Sequence, residues 1–172
     1  NLDDPETRAL AEAMPQDKLI GYGFDSPAAT LVGRNLELLP DGIRFTAELG
    51  DERQDVELHV PGRHNAMNAL AALGAVHALG ISHGEAGPAL ARFGGLKRRL
   101  ETVGTAGGVT VIDDFAHNPD KIAATLATLT AQPGRLLILF QPHGYGPIAK
   151  MGEELARTFA LGMREGDRLF LP

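Results

Sequence analysis

The sequence predicts an α/β protein whose second half is a doubly wound parallel sheet and whose first half carries a small antiparallel meander. Three observations carry that expectation. Asp41-Gly42 and Gly50-Asp51 are hairpin dipeptides set between the runs "ATLVGRNLELL", "GIRFTAEL" and "QDVELHV". Later, the apolar runs "RLLILF" and "RLFLP" alternate with helical segments, the pattern of strands covered on both faces. Helix start signals recur at Asp4-Pro5, Ser82-x-x-Glu85 and Asn118-Pro119.

Taken in chain order, Asp4 caps a first helix that is expected to reach about Met14. "KLIGYGF" reads as a short strand, followed by the meander. In "DVELHV", Val56, Leu58 and Val60 alternate with Glu57 and His59, which puts His59 on the wet face. "PGRHNAMNALAALGAVHALG" is an Ala- and Leu-rich helix stopped by Gly80, and the Ser82 capping box opens a second that ends near Gly94-Gly95. The glycine pair and the charge run of "GGLKRRLE" mark a boundary between two patterns. Beyond it, "TVGTAGGVTVIDDF" reads as two short strands around a Gly-rich turn, and helices are expected from Asn118 and over about 147–161. Asp113-Asp114 ends one strand and Gln141-Pro142-His143 ends the next. If those strands are neighbours, both polar clusters face one crevice.

Composition narrows the function classes. The chain has 172 residues, 44% of them hydrophobic and only 5% aromatic, which suits an aliphatic α/β core. A formal charge of −6 argues against non-specific nucleic-acid binding. There is no cysteine, which excludes disulfides and thiolate metal sites and fits a reducing cytoplasm. No apolar run has the length of a membrane span, so no membrane partner is expected. The abrupt ends suggest a piece of a longer protein, and the sequence leaves the oligomeric state open.

The chemistry-bearing stretches keep several readings open. There is no G-x-x-x-x-G-K-[ST] phosphate loop and no H-E-x-x-H or comparable ligand spacing, so no structural zinc site is expected. His64, Asn65 and Asn68 cluster at a helix start. The Asn65 and Asn68 carboxamides suit an adenine edge or simply cap the helix. Lys97-Arg98-Arg99 can reach a phosphate or a carboxylate, or lie on a solvated linker. Asp113 and Asp114 could hold a hard cation, bind a ribose or substrate hydroxyl, or shape a turn. His117 and His143 are acid–base candidates by reference pKa, or capping and packing groups.

Four motifs occur in one order: "GRHNAMNALAA", "RRLETVG", "VIDDFAHNPDKI" and "FQPHGY". With "NLDDP" at the start, they resemble successive landmarks of the Mur ligase family, most of all its alanine-adding branch. The resemblance implies that residues 1–97 are the end of an ATPase-type central domain. Residues 98–172 would be most of a Rossmann-like C-terminal domain. It implies an ATP- and Mg2+-dependent ligase of peptidoglycan precursor synthesis in the cytoplasm. Such an enzyme activates the carboxylate of a UDP-N-acetylmuramate-type sugar as an acyl phosphate, which the amine of an amino acid attacks.

The phosphate loop, the magnesium-binding acid and a modified lysine would lie upstream, so this piece alone is not expected to catalyse. By motif, His64, Asn65 and Asn68 would meet adenine, and Arg99 the nucleotide. Asp113 or Asp114 would take the ribose. Phe115, His117, His143 and Tyr145 would border the amino acid. The alanine-adding branch reads FQPH-Arg-Tyr-[Ser/Thr]-Arg, whereas Gly144 and Pro147 stand in the two arginine slots here. That departure puts the identity of the amino acid in question, since a buried carboxylate needs a cation. A family derivative with a drifted co-substrate or a non-catalytic binding role is the alternative reading. A metal hydrolase built on Asp113, Asp114 and His117 is a more distant one.

Overall fold

A computed structural model describes residues 1–142 and 144–172. The chain divides into two compact units, Asn1–Gly94 and Gly95–Pro172.

In the first unit, helix α1 (Pro5–Glu12) starts where Asp4 accepts a hydrogen bond from the Thr7 amide. It ends two residues short of Met14. The "KLIGYGF" strand contracts to β1 (Tyr22–Gly23), preceded by a 3-10 turn at Gln16–Lys18. Strands β2 (Leu31–Leu39), β3 (Gly42–Leu49) and β4 (Glu52–Leu58) form the expected antiparallel meander, with β1 added parallel to β2. The β2–β3 register shifts between Arg34 and Glu37, where Asn35 takes φ +52°. Gly42 is required at the head of β3, because a Cβ there would lie 2.4 Å from the Leu58 carbonyl oxygen. His59 is exposed, as the alternation implies.

Helix α2 (Arg63–Ala78) covers the sheet with Ala66, Ala69, Leu70, Leu73 and Gly74, a stripe at helical spacing. These side chains meet Leu31, Ile43, Phe45, Ala47, Val56, Leu58 and Val60 in one core. Full burial of Leu70 and Leu73 is worth ~1.5–3 kcal/mol each. Helix α3 (His83–Ala91) opens on the Ser82–Glu85 capping box and packs on β4. Gly87 permits the approach, since a Cβ there would overlap the Gln54 side chain at 2.8 Å.

In the second unit, β5 (Glu101–Ala106) and β6 (Val109–Asp113) form an antiparallel hairpin. Helix α4 (Pro119–Thr130) follows, with Asn118 accepting from the Lys121 amide at 2.9 Å. Strand β7 (Leu137–Leu139) pairs in parallel with β8 (Arg168–Phe170) across helix α5 (Tyr145–Gly162). The α/β expectation with parallel strands holds. Its corollary does not: among the described residues β6 pairs only with β5, so no ladder sets the β6 and β7 ends side by side. The glycine-rich turn at Gly107-Gly108, both at positive φ, folds β6 back onto β5.

The core of this unit is Ile122, Leu126, Leu155 and Phe159, packed against Ile138, Phe140 and Leu169. Arg164 and Asp167 tie together the loops that border it. Arg164 donates to the carbonyls of Thr130, which ends α4, and of Gln132 and Gly134 beyond it, while buried Asp167 accepts from the Leu136 and Arg164 amides. Those amides, with the Arg164 guanidinium, hold the Asp167 carboxyl below its ordinary pKa.

Candidate functional site

Each unit presents one cluster of the residues singled out by the sequence. In the first, Gly62 precedes α2 at φ +99° and offers no side-chain cap. Asn65 supplies a cap of another kind, its amide donating to the Pro61 carbonyl at 2.7 Å. Asn68 donates to Asn65 Oδ1 at 3.4 Å and is otherwise exposed, so it keeps a donor and an acceptor for a ligand edge. His64, next to them, is half-buried. Arg63 ties the helix start to the loop before it, 2.7 Å from Asp25, 3.5 Å from Asp3 and stacked on Phe24 at 5.2 Å. Asp3 is partly buried, which works against its charge. The amides of Phe24, Ser26 and Asp25 and the Arg63 guanidinium outweigh this and hold its carboxyl below the usual value. The acidic start "NLDDP" therefore anchors the loop that faces the α2 N-terminus.

In the second unit, the two aspartates separate by role. Asp114 Oδ1 accepts from the Ala116 amide at 2.8 Å and from the Thr125 hydroxyl at 3.0 Å, and Oδ2 accepts from the Leu100 amide at 2.9 Å. Asp114 is thus the staple between the β6 end, α4 and the turn before β5. A carboxylate already holding three donors presents no metal dyad with its neighbour. Asp113 lies 3.6 Å from Arg98 Nε, with 45% of its side chain exposed, and is the aspartate available to a ligand.

The charge run is an ordered turn rather than a loose linker. Arg98 and Leu100 adopt φ +59° and +50°, strained for residues with a Cβ. Three bonds hold that turn: the Arg98 amide to Glu101, the Phe115 amide to the Arg98 carbonyl, and the Leu100 amide to Asp114. As a result both guanidiniums stand over Phe115, Arg98 at 4.7 Å and Arg99 at 5.8 Å from the ring centre. His117 lies 5.1 Å from the same ring, and its Nδ1 is 2.9 Å from the Phe115 carbonyl. Asp113, two arginines, an exposed aromatic ring and an imidazole therefore form one continuous polar surface. It suits an anion carrying a planar or hydroxylated group.

Downstream, His143 lies outside the described residues. Tyr145, the first residue of α5, is 98% exposed. Gly144 at φ +78° precedes the helix, and Pro147 sits in its first turn, where a missing N–H costs no helical bond. The residues in the two arginine slots thus build a helix start. Sequence reasoning missed a further cluster altogether: Glu52, His77 and His83 offer ligand atoms that all lie within 4.8 Å of one another. The only sequence trace of it is two histidines bracketing the α2–α3 turn.

Residues 1–76 match the Mur ligase middle domain, and residues 98–167 match the Mur ligase, glutamate ligase domain. The chain belongs to the Mur ligase family. It is similar to the UDP-N-acetylmuramate–L-alanine ligase of Phenylobacterium zucineum, 35% identical over 92% of this chain and 34% of the relative. The Streptomyces coelicolor protein of the same name is 42% identical over 90% of this chain and 33% of its own length. Among solved structures, MurF from Acinetobacter baumannii superposes with a TM-score of 0.78, at 25% identity, covering 97% of this chain and 36% of that one. UDP-N-acetylmuramate-alanine ligase MurC from Thermotoga maritima gives 0.66 at 24% identity, covering 89% of this chain and 39% of that one. The chain thus spans about a third of the length of the relatives it matches. Among the described residues, no helix is long and apolar enough to cross a membrane.

Proposed function

We propose that this chain is part of a cytoplasmic, ATP-dependent carboxylate–amine ligase of peptidoglycan precursor synthesis. The enzyme joins an amino acid to a UDP-N-acetylmuramate-type carboxylate through an acyl phosphate. The observation that carries the reading is the joint match to the Mur ligase middle and C-terminal domains, with relatives named UDP-N-acetylmuramate–L-alanine ligase. Residues 1–97 are the end of the nucleotide-binding domain in this reading, and residues 98–172 most of the amino-acid-side domain.

His64, Asn65 and Asn68 are the adenine contacts, with exposed Asn68 reading the ring edge. Asp113 takes the ribose and Arg99 an anionic oxygen of the nucleotide. His117, Phe115 and Tyr145 border the amino acid. ATP supplies the phosphoryl group that activates the acid. The residues here fit its base and sugar. The Asp113–Asp114 pair does not make a Mg2+ dyad, because Asp114 is filled by three protein donors. The cation's ligands and the phosphate loop belong elsewhere in the parent enzyme, and this portion alone is inactive.

The test is amino-acid-dependent ADP release by the whole parent enzyme, given the UDP-sugar acid and a panel of amino acids. Release with one amino acid far above the rest is expected, and none with any would overturn the reading. Gly144 and Pro147 leave the preferred amino acid as the open variable of that panel. Asp113→Asn should raise the KM for ATP about tenfold, the loss of one charge-assisted hydrogen bond of ~1.5 kcal/mol. Asp114→Asn should instead lower stability by ~1–3 kcal/mol. Equal effects of the two on KM would undo the division of roles.

A further inference from the structure

We propose that Glu52, His77 and His83 bind a borderline divalent cation of the zinc class, in a site unrelated to the nucleotide chemistry. Glu52 opens β4 after the hairpin turn, His77 lies in the last turn of α2, and His83 is the first residue of α3. A strand and the two consecutive helices after it thus deliver two imidazoles and one carboxylate, a donor set suited to zinc and its neighbours rather than to Mg2+.

His83 points to a ligand on its own account. Its side chain is 1% exposed, and both ring nitrogens are buried without a hydrogen-bond partner among the described residues. A neutral imidazole has one N–H and one lone pair to satisfy, so a natural core keeps such a ring only where something meets it. Its Nδ1 faces Glu52 Oε2 at 3.9 Å, and His77 Nδ1 faces Glu52 Oε1 at 4.0 Å, both too long for hydrogen bonds. A cation at zinc bond lengths would bring ligand atoms to roughly 3.4 Å apart, so atoms now within 4.8 Å of one another must close by at most about 1.4 Å. Glu52 and His77 can supply that movement, being 45% and 37% exposed, whereas His83 is fixed.

The carboxylate is also oriented, because Glu52 Oε2 accepts from the His83 amide at 3.3 Å. Solvent reaches the open side of the cluster, so water completes the coordination. The cation would clamp the β3–β4 hairpin to the junction of α2 and α3.

The test uses the chain without a histidine tag, stripped of metal with a chelator. Zn2+ titrated at neutral pH by calorimetry should bind one per chain, and Co2+ should give a ligand-field absorption band. Excess Mg2+ should not displace either. Glu52→Gln and His77→Gln alter exposed side chains and should keep the circular dichroism of the parent. Each should weaken Zn2+ binding by about tenfold or more, and each should reduce the rise in melting temperature that a fixed Zn2+ concentration gives. Absence of saturable binding, affinity unchanged in either variant, or equal competition by Mg2+ overturns the proposal.

Discussion

The two units solve the same problem, covering a sheet with helices, to different depths. In the first, one face of a four-stranded sheet is sealed by α2, and Leu31, Ile43, Ala47, Leu70 and Leu73 are wholly buried. In the second, α4 and α5 seal only one face of β7 and β8. Ile138 and Leu169 turn inward, while Leu137, Leu139 and Phe170 remain 56%, 75% and 53% exposed. The β5–β6 hairpin likewise shows Val103, Val109 and Val111 to solvent. Stability in the first unit therefore rests on apolar burial. The second leans on polar staples, Asp114 at one end and Arg164–Asp167 at the other.

The most disruptive way to probe that contrast is Leu70→Ala. It should destabilise the first unit by ~2–5 kcal/mol, read by hydrogen exchange on α2 and β3 peptides, with the second unit's peptides unchanged. A loss spread over both units would show them to be energetically one.

Next comes acid. The Asp167 carboxyl has a folded pKa below its ordinary value, so its contribution is fully present above the unfolded-state pKa of about 3.9. It is lost as pH falls through the lower folded value. The second unit should accordingly weaken from about pH 4 downward, and Asp167→Asn should flatten that part of the profile. An unchanged slope would remove Asp167 from the account.

Helix caps offer a matched pair across the units. Ser82→Ala at α3 and Asn118→Ala at α4 should each cost ~1 kcal/mol in urea denaturation. A much larger loss at Asn118 would mark the second unit as the more marginal. Smallest of all, Val111→Thr on the exposed hairpin should change stability by no more than about 0.5 kcal/mol.

Much of the local structure was legible because its causes are local. Asp4, Ser82 and Asn118 cap their own helices, Gly80 follows α2 at φ +81°, and Gly50-Asp51 makes the β3–β4 turn as expected, whereas the β2–β3 turn falls one residue early, at Pro40-Asp41, with Gly42 already paired in β3. The alternation of "DVELHV" put His59 outward correctly. "RLLILF" was less faithful: its apolar run reads as a strand covered twice, yet three residues pair and alternate ones face water. Periodicity reports what a strand can bury, and the neighbours determine what it does bury.

The sequence by itself determined the family, through four ordered motifs, and the order of helices and strands, through capping, turn chemistry and period. Only the tertiary structure decided that β6 turns back on β5 and that Asp114 is a staple while Asp113 stays available. The same holds for the meeting of Glu52, His77 and His83. The reason is one of range: caps and turns act over a few residues, whereas hydrogen-bond partners and ligand sets come from elements far apart in the chain.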